Sequence, residues 1–241
     1  MLKPNLSEEM TSGLDLQRGN RRNFLKFSGV AIASTGILLS GCQEVLDILP
    51  KPGKKPSKQA VPLGKGDIGI LNYAYTLEQL EAAFYLMVVA NPYSGMSQTE
   101  KVLMEDLKNH EVVHRDFLKA ALGKDAIIDL SFDFSSVDFS SRASVLATAK
   151  TFEDLGVAAY NGSGQLFVSA DLLLIAGKIV SVEARHAAAI RSIFDSDPTS
   201  FAGSDVIDSN GLDRAFTPDM VLEAAAPFIK NKIIANQLPT S

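Results

Sequence analysis

The sequence predicts an all-α domain: a four-helix bundle with a long crossover between its second and third helices, and a short helix near the C-terminus. Three observations predict it. Four long segments carry apolar residues at helical spacing. Short breaks join the first to the second and the third to the fourth, whereas the stretch 123–141 between the second and third has no helical period. Each long segment also sets a glutamate inside its apolar stripe, and in two of them a histidine follows three residues later.

The 241 residues are enough for one sizeable core. With 46% hydrophobic and 21% charged residues the composition is that of a globular chain. A net charge of −5 argues against a nucleic-acid-binding surface. The single cysteine, Cys42, rules out an intramolecular disulfide.

Residues 1–42 read as a targeting segment. Arg21 and Arg22, followed by Asn23-Phe24-Leu25-Lys26, resemble a twin-arginine export signal. The apolar run from Phe27 to Ser40 is short and rich in Gly and Ser, which does not suit a spanning helix. It ends in Leu39-Ser40-Gly41-Cys42, which resembles a bacterial lipobox; the resemblance implies lipidation of Cys42 and loss of residues 1–41. An uncleaved N-terminal anchor is the alternative. Either way the body is expected outside the cytoplasm, attached to the membrane on the periplasmic or outer face, with the twin-arginine machinery as a partner. Residues 43–66, which include "PKPGKKPSKQAVPLGKG", are rich in Pro and Lys and read as an extended tether.

The bundle is expected over residues 67–195. The first helix runs from Asp67 to Ala90 and stops at Asn91-Pro92. The second, Ser97 to Leu122, stops at Gly123. The third runs from Arg142 to Tyr160, with Asn161-Gly162 read as its break. The fourth spans Gln165 to Phe194. Residues 196–241 form an extension whose helix starts at Thr217-Pro218, an N-cap followed by Pro at the first helical position. Helices of about 25 residues are about 37 Å long, a span the stretch 123–141 can cover, so the third helix can run parallel to the second. Phe132, Phe134 and Phe139 would pin that crossover to the bundle.

A carboxylate facing a core is costly unless it is paired or binds metal. Here Glu78 (with Glu81 one turn on), Glu111, Glu153 and Glu183 all sit in apolar stripes. Glu111-x-x-His114 and Glu183-x-x-His186 place each glutamate and histidine on one helix face. One Glu from each of two helices and an E-x-x-H from each of the others is the ligand set of a two-metal carboxylate site. That set is Glu78, Glu111, His114, Glu153, Glu183 and His186, with Glu81 as the alternative to Glu78. Hard carboxylates with imidazole suit two ions of iron or manganese. A competing pattern overlaps it: His110-Glu111-Val-Val-His114 is an H-E-x-x-H, as in zinc proteases. That reading leaves the other buried glutamates unexplained, and His110 is expected at the surface or behind the ligands. Tyr75, Tyr85 and Tyr160, three or seven positions from Glu78 or Glu153, read as core residues or as hydrogen-bond donors to the ligands. Gly156 allows close helix approach or leaves room beside the metals.

"LNYAYTLEQLEAAFY", "NHEVVHRDFLKAAL", "FEDLGVAAYNG" and "VSVEARHAAAIR" resemble the ferritin-like domain family, in the branch that includes plant desiccation-related and fungal stress proteins. The resemblance implies a ferritin-like bundle around a di-metal site. The expected function is then an exported, oxygen- or peroxide-reactive di-metal protein of the cell envelope, a candidate di-iron or di-manganese oxidoreductase. The alternative is a non-catalytic envelope stress or desiccation-related protein with a structural or absent metal site.

Overall fold

The computed structural model describes residues 59–240. Arg21, Arg22 and Cys42 lie outside the described residues, and the export-signal and lipobox readings with them. In chain order the elements are β1 (Ala60–Pro62), α1 (Gly66–Ala90), α2 (Gln98–Leu122), α3 (Arg142–Gly164), α4 (Ala170–Phe194), α5 (Pro218–Ala225) and β2 (Lys232–Ile234). Among these residues no helix is long and apolar enough to cross a membrane.

The helix ends follow local chemistry. Ser97 and Glu100 form a reciprocal capping box at the start of α2. Gly123, at φ +55°, ends that helix in a conformation that favours glycine. The hydroxyls of Ser141 and Ser169 cap α3 and α4 by accepting from Ser144 N and Leu172 N. Two boundaries differ from the sequence reading by more than one residue. Helix α3 continues through Asn161-Gly162 to Gly164, and α4 begins at Ala170 rather than at Gln165. Gly162 stays helical because its missing side chain makes room for another segment. A Cβ there would lie 1.8 Å from the Phe216 carbonyl oxygen.

Helices α1 and α2 pack as one pair and α3 and α4 as another, with α1 against α3 joining them. Asp67 of α1 accepts from Val168 N and Ser169 N, which sets the start of α1 against the α3–α4 loop. Asn72, one turn on, donates to the carbonyls of Leu63 and Asp125 and accepts from Ile127 N. Helices α2 and α3 therefore both finish at the end where α1 starts, so they run parallel. At the other end Arg142, at the start of α3, reaches Glu100 of α2 and the Ile193 carbonyl of α4. This is the crossover arrangement that the sequence predicts.

The crossover lies along α1, which explains why α1 is buried almost all round rather than on one face. Asn72, Tyr75 and Gln79 of α1 hold residues 125–130 by hydrogen bonds. Further along, Phe84 meets Phe134 and Phe139 with ring centroids 6.0 Å apart in each case. The chain after α5 returns over the crossover: Lys230 N donates to Ser131 O, and Asp133 N to Phe228 O. It then pairs in parallel with β1, Val61 opposite Ile233. Val61 and Leu63 are buried by this pairing. Composition assigns residues 60–66 to the tether, but burial of those two side chains makes them part of the folded body.

Arg191 is the largest fully buried side chain. Its guanidinium donates to both oxygens of Asp154 on α3, both oxygens of Asp205 and the Ser200 carbonyl. A planar fork with five N–H groups suits these acceptors, so one side chain ties α3, α4 and the turn after α4 together.

Candidate metal centre

Midway along the bundle, α1 supplies Glu78 and Glu81, α2 supplies Glu111 and His114, α3 supplies Glu153, and α4 supplies Glu183 and His186. Glu78, Glu111, Glu153 and Glu183 are fully buried, and Glu81 and His186 nearly so. The atoms fall into two groups. Around His114 Nδ1 lie Glu183 Oε1 at 2.8 Å, Glu78 Oε2 at 3.5 Å and Glu111 Oε2 at 3.7 Å. Around His186 Nδ1 lie Glu111 Oε1 at 2.7 Å, Glu153 Oε2 at 3.5 Å and Glu183 Oε2 at 3.6 Å. Within each group the ligand atoms lie within 4.8 Å of one another, and each group could hold a metal ion. Glu111 and Glu183 give one oxygen to each group. The other four residues serve one group apiece.

These eight atoms are all buried, and none makes an aligned hydrogen bond. They are close, but the ring N–H directions miss the oxygens. A buried polar atom without a partner ordinarily costs about 1–3 kcal/mol. Eight such atoms in one place are the signature of donors that converge on points between them rather than on each other. The residues therefore fit a metal, and the donor set of carboxylates and imidazoles suits one.

Electrostatics agree. Burial pushes Glu81 and Glu111 well above the ordinary carboxylate range, and neighbouring carboxylates, Glu183 among them, add to it. Burial also raises Glu153, and His186 only partly offsets it. Glu183 goes the other way: burial alone would raise it, but His114 and His186 together outweigh that and hold it low. Burial alone would lower His114, yet Glu111, Glu183 and Glu78 push it up to about 12. Without metal the site favours two imidazolium ions among carboxylates, which is where two cations would otherwise stand.

Glu78 and Glu81 are separated by their positions. Glu78 belongs to the His114 group; Glu81 belongs to neither. A Cβ added to Gly156 would lie 2.9 Å from Glu81 Oε1 and 3.7 Å from Glu183 Oε2. The absent side chain of Gly156 thus gives Glu81 its place beside the cluster.

Two tyrosines cross between the helix pairs. Tyr85 of α1 donates to Glu153 Oε1 of α3 at 2.5 Å, and Tyr160 of α3 donates to Glu78 Oε1 of α1 at 2.5 Å. Each lies seven residues after a site glutamate on its own helix and serves the glutamate of the other. Tyr75 does not join them; it donates to Asp129 in the crossover. His110 is exposed and stands outside both groups. Its Nδ1 meets His186 Nε2 at 2.9 Å, with the two rings stacked 8° from parallel. His110 and His114 do not converge on one point, as a zinc-protease motif would require.

The profile of a family described as a ferritin-like domain matches residues 66–196, more than half of the chain. The chain belongs to that family. No curated protein matches the chain. The matched span of this ferritin-like domain begins at the first residue of α1 and ends two residues beyond α4, so it contains every residue of the buried cluster.

Sequence reasoning found the glutamates and histidines through their i, i+3 spacing. It left open which bonds the tyrosines make, because each partner lies on another helix. It missed the Arg191 clamp altogether, since nothing near "AAAIRSIF" marks that arginine as buried.

Proposed function

We propose that this ferritin-like protein is an exported di-metal carboxylate protein of the cell envelope, reactive toward oxygen or peroxide. The observation that carries the site reading is the division of eight unpartnered buried atoms into two groups that share Glu111 and Glu183. In this reading two ions of iron or manganese would be held by the residues of the two atom groups: Glu78 and His114 in one, Glu153 and His186 in the other, and Glu111 and Glu183 in both. Such ions would supply one-electron redox steps and open positions for a small oxidant.

The chain's own residues do the rest. Tyr85 and Tyr160 engage the outer oxygens of Glu153 and Glu78, which leaves the inner oxygens, both named Oε2, turned to the centre. With His186 Nδ1 directed inward, its Nε2 carries the proton and donates to His110, which fixes the ring and its tautomer. His114 is only partly buried and His110 is exposed, so the cluster comes nearest to solvent beside α2. Export is supported by Arg21-Arg22 and the residues after them, and membrane attachment by Leu39-Ser40-Gly41-Cys42.

Metal analysis of protein purified from its native envelope, followed by oxygen and peroxide turnover assays, tests this. About two ions per chain with turnover is the expected result. Bound metal without turnover would favour the non-catalytic stress-protein reading. Metal-free native protein would remove the site reading. Tyr85→Phe and Tyr160→Phe should each weaken metal binding by about 10–100-fold, because each frees an oxygen that orients a ligand. Chelator competition measures it. The two effects should be similar, and an effect in one variant alone would contradict equivalent roles.

A further inference from the structure

At the end of the bundle where the chain leads into α1, four large apolar side chains face water. Val168, at the tip of the α3–α4 loop, is 90% exposed; Leu174, Leu173 and Ile68 are 61%, 44% and 40% exposed. They are neighbours through the fold. Asp67, next to Ile68, accepts from the Val168 backbone N–H. Leu173 lies against Gly164, on the other side of the same loop.

The sequence here holds more apolar residues than the core takes. In "QLFVSADLLLIAG" Leu166 is buried, and Phe167, Leu172 and Ile175 pack partly against the core. Val168, Leu173 and Leu174 are left over. A soluble helix start needs no run of three leucines, and a loop tip needs no valine. Exposed apolar side chains gathered in one place mark a contact surface.

The chain outside the described residues is joined to the body at this end. It reaches the body at Gln59 and β1, then runs through Leu63 into α1 at this same end. The segment before it carries Lys51, Lys54, Lys55 and Lys58, with Lys65 exposed at the start of α1. Sixteen residues, 43–58, separate Cys42 from the described body. Sixteen residues reach at most about 55 Å, so an anchor at Cys42 would keep this end the nearest to the bilayer.

We infer that this end of the bundle rests on the membrane, with Val168, Leu173, Leu174 and Ile68 in the headgroup layer of an anionic bilayer and Lys65, exposed at the start of α1, at its phosphates. Apolar tips with a basic side chain beside them, added to a lipid anchor, are signals that together hold a protein at such a surface. Glu78 lies twelve residues into α1 from Gly66, so the metal centre would stand about 18 Å above that surface, outside the hydrocarbon. The inference rests on the membrane-attachment reading of Cys42.

The test uses the full lipidated protein reconstituted into vesicles of phosphatidylethanolamine and phosphatidylglycerol. Acylated Cys42 has no free thiol, so Val168→Cys can carry a single spin label. Val102→Cys, in the first turns of α2 at the opposite end, is the control. On vesicle binding, collisions of the position-168 label with a water-soluble nickel chelate should fall several-fold while those of the position-102 label stay unchanged. Val168→Glu combined with Leu174→Glu, both at exposed positions, should restore chelate access to a label at position 68 (Ile68→Cys) without loss of helicity. Protein that floats with the vesicles but shows equal chelate access at positions 168 and 102 overturns the surface alone. Protein that does not float with the vesicles overturns the membrane attachment, and the surface with it.

Discussion

Glu111→Ala and Glu183→Ala should each yield purified protein with almost no bound metal, well over 100-fold weaker in affinity. Each carboxylate gives an oxygen to both atom groups, at Oε1 and Oε2, so its loss opens two positions at once. His114→Ala should be milder in count, because His114 Nδ1 belongs to one group only; about half of the metal should remain. His110→Ala removes only the partner of His186 Nε2 and should weaken binding by about 10–100-fold, the cost of losing a support behind a ligand. Metal per chain after identical loading measures all four. Circular dichroism should show full helicity throughout, since deleting a buried carboxylate relieves repulsion in the metal-free fold. A site emptied by His110→Ala but filled in Glu183→Ala would overturn the shared-carboxylate reading and revive the H-E-x-x-H one.

Gly162→Ala should destabilise the folded domain by about 3–4 kcal/mol, at the high end for a single added methyl. The added carbon would sit 1.8 Å from Phe216 O, 2.6 Å from its C and 2.8 Å from its N. All three are backbone atoms, which cannot swing aside as a flexible side chain would. The hydrogen bond from Phe216 N to Ala158 O would be lost as the segment lifts. Thermal unfolding should report a fall in midpoint of roughly 6–16 °C for a domain of this size. An alanine variant as stable as the parent would mean that residues 214–217 do not pack on α3 as described.

Gly162 also shows where the sequence could be read and where it could not. Asn161-Gly162 looks like a helix break because local propensity disfavours both residues in a helix interior. The contact that makes glycine necessary comes from Phe216, 54 positions later, and no local pattern announces it. The start of α4 was misplaced for a smaller reason: Ser169 is the cap, and the apolar residues before it, Leu166 and Phe167, imitate helical periodicity in a loop. The four long helices and the glutamates and histidines were legible because 3.6-residue periodicity and i, i+3 spacing are local facts. Glu78 and Glu81 could not be told apart locally, since both face the core one turn from each other. What separates them is Gly156 on another helix. Strands β1 and β2 are three residues each and pair across most of the domain's length, so neither carries a period of its own.

The crossed tyrosines and shared carboxylates have a consequence for the order of events in the cell. Neither helical hairpin can complete either atom group alone. The His114 group takes atoms from α1, α2 and α4, and the His186 group from α2, α3 and α4. Each tyrosine reaches a glutamate of the opposite hairpin. A nascent chain, or one threaded through a pore as an extended strand, therefore has no site at all, only scattered glutamates. Any ions the groups hold could be captured only after both hairpins have docked. A protein that must take up its metal from the cytoplasm would have to finish folding there and leave as a finished body. One carried out unfolded would have to find its metal among whatever ions the outside supplies.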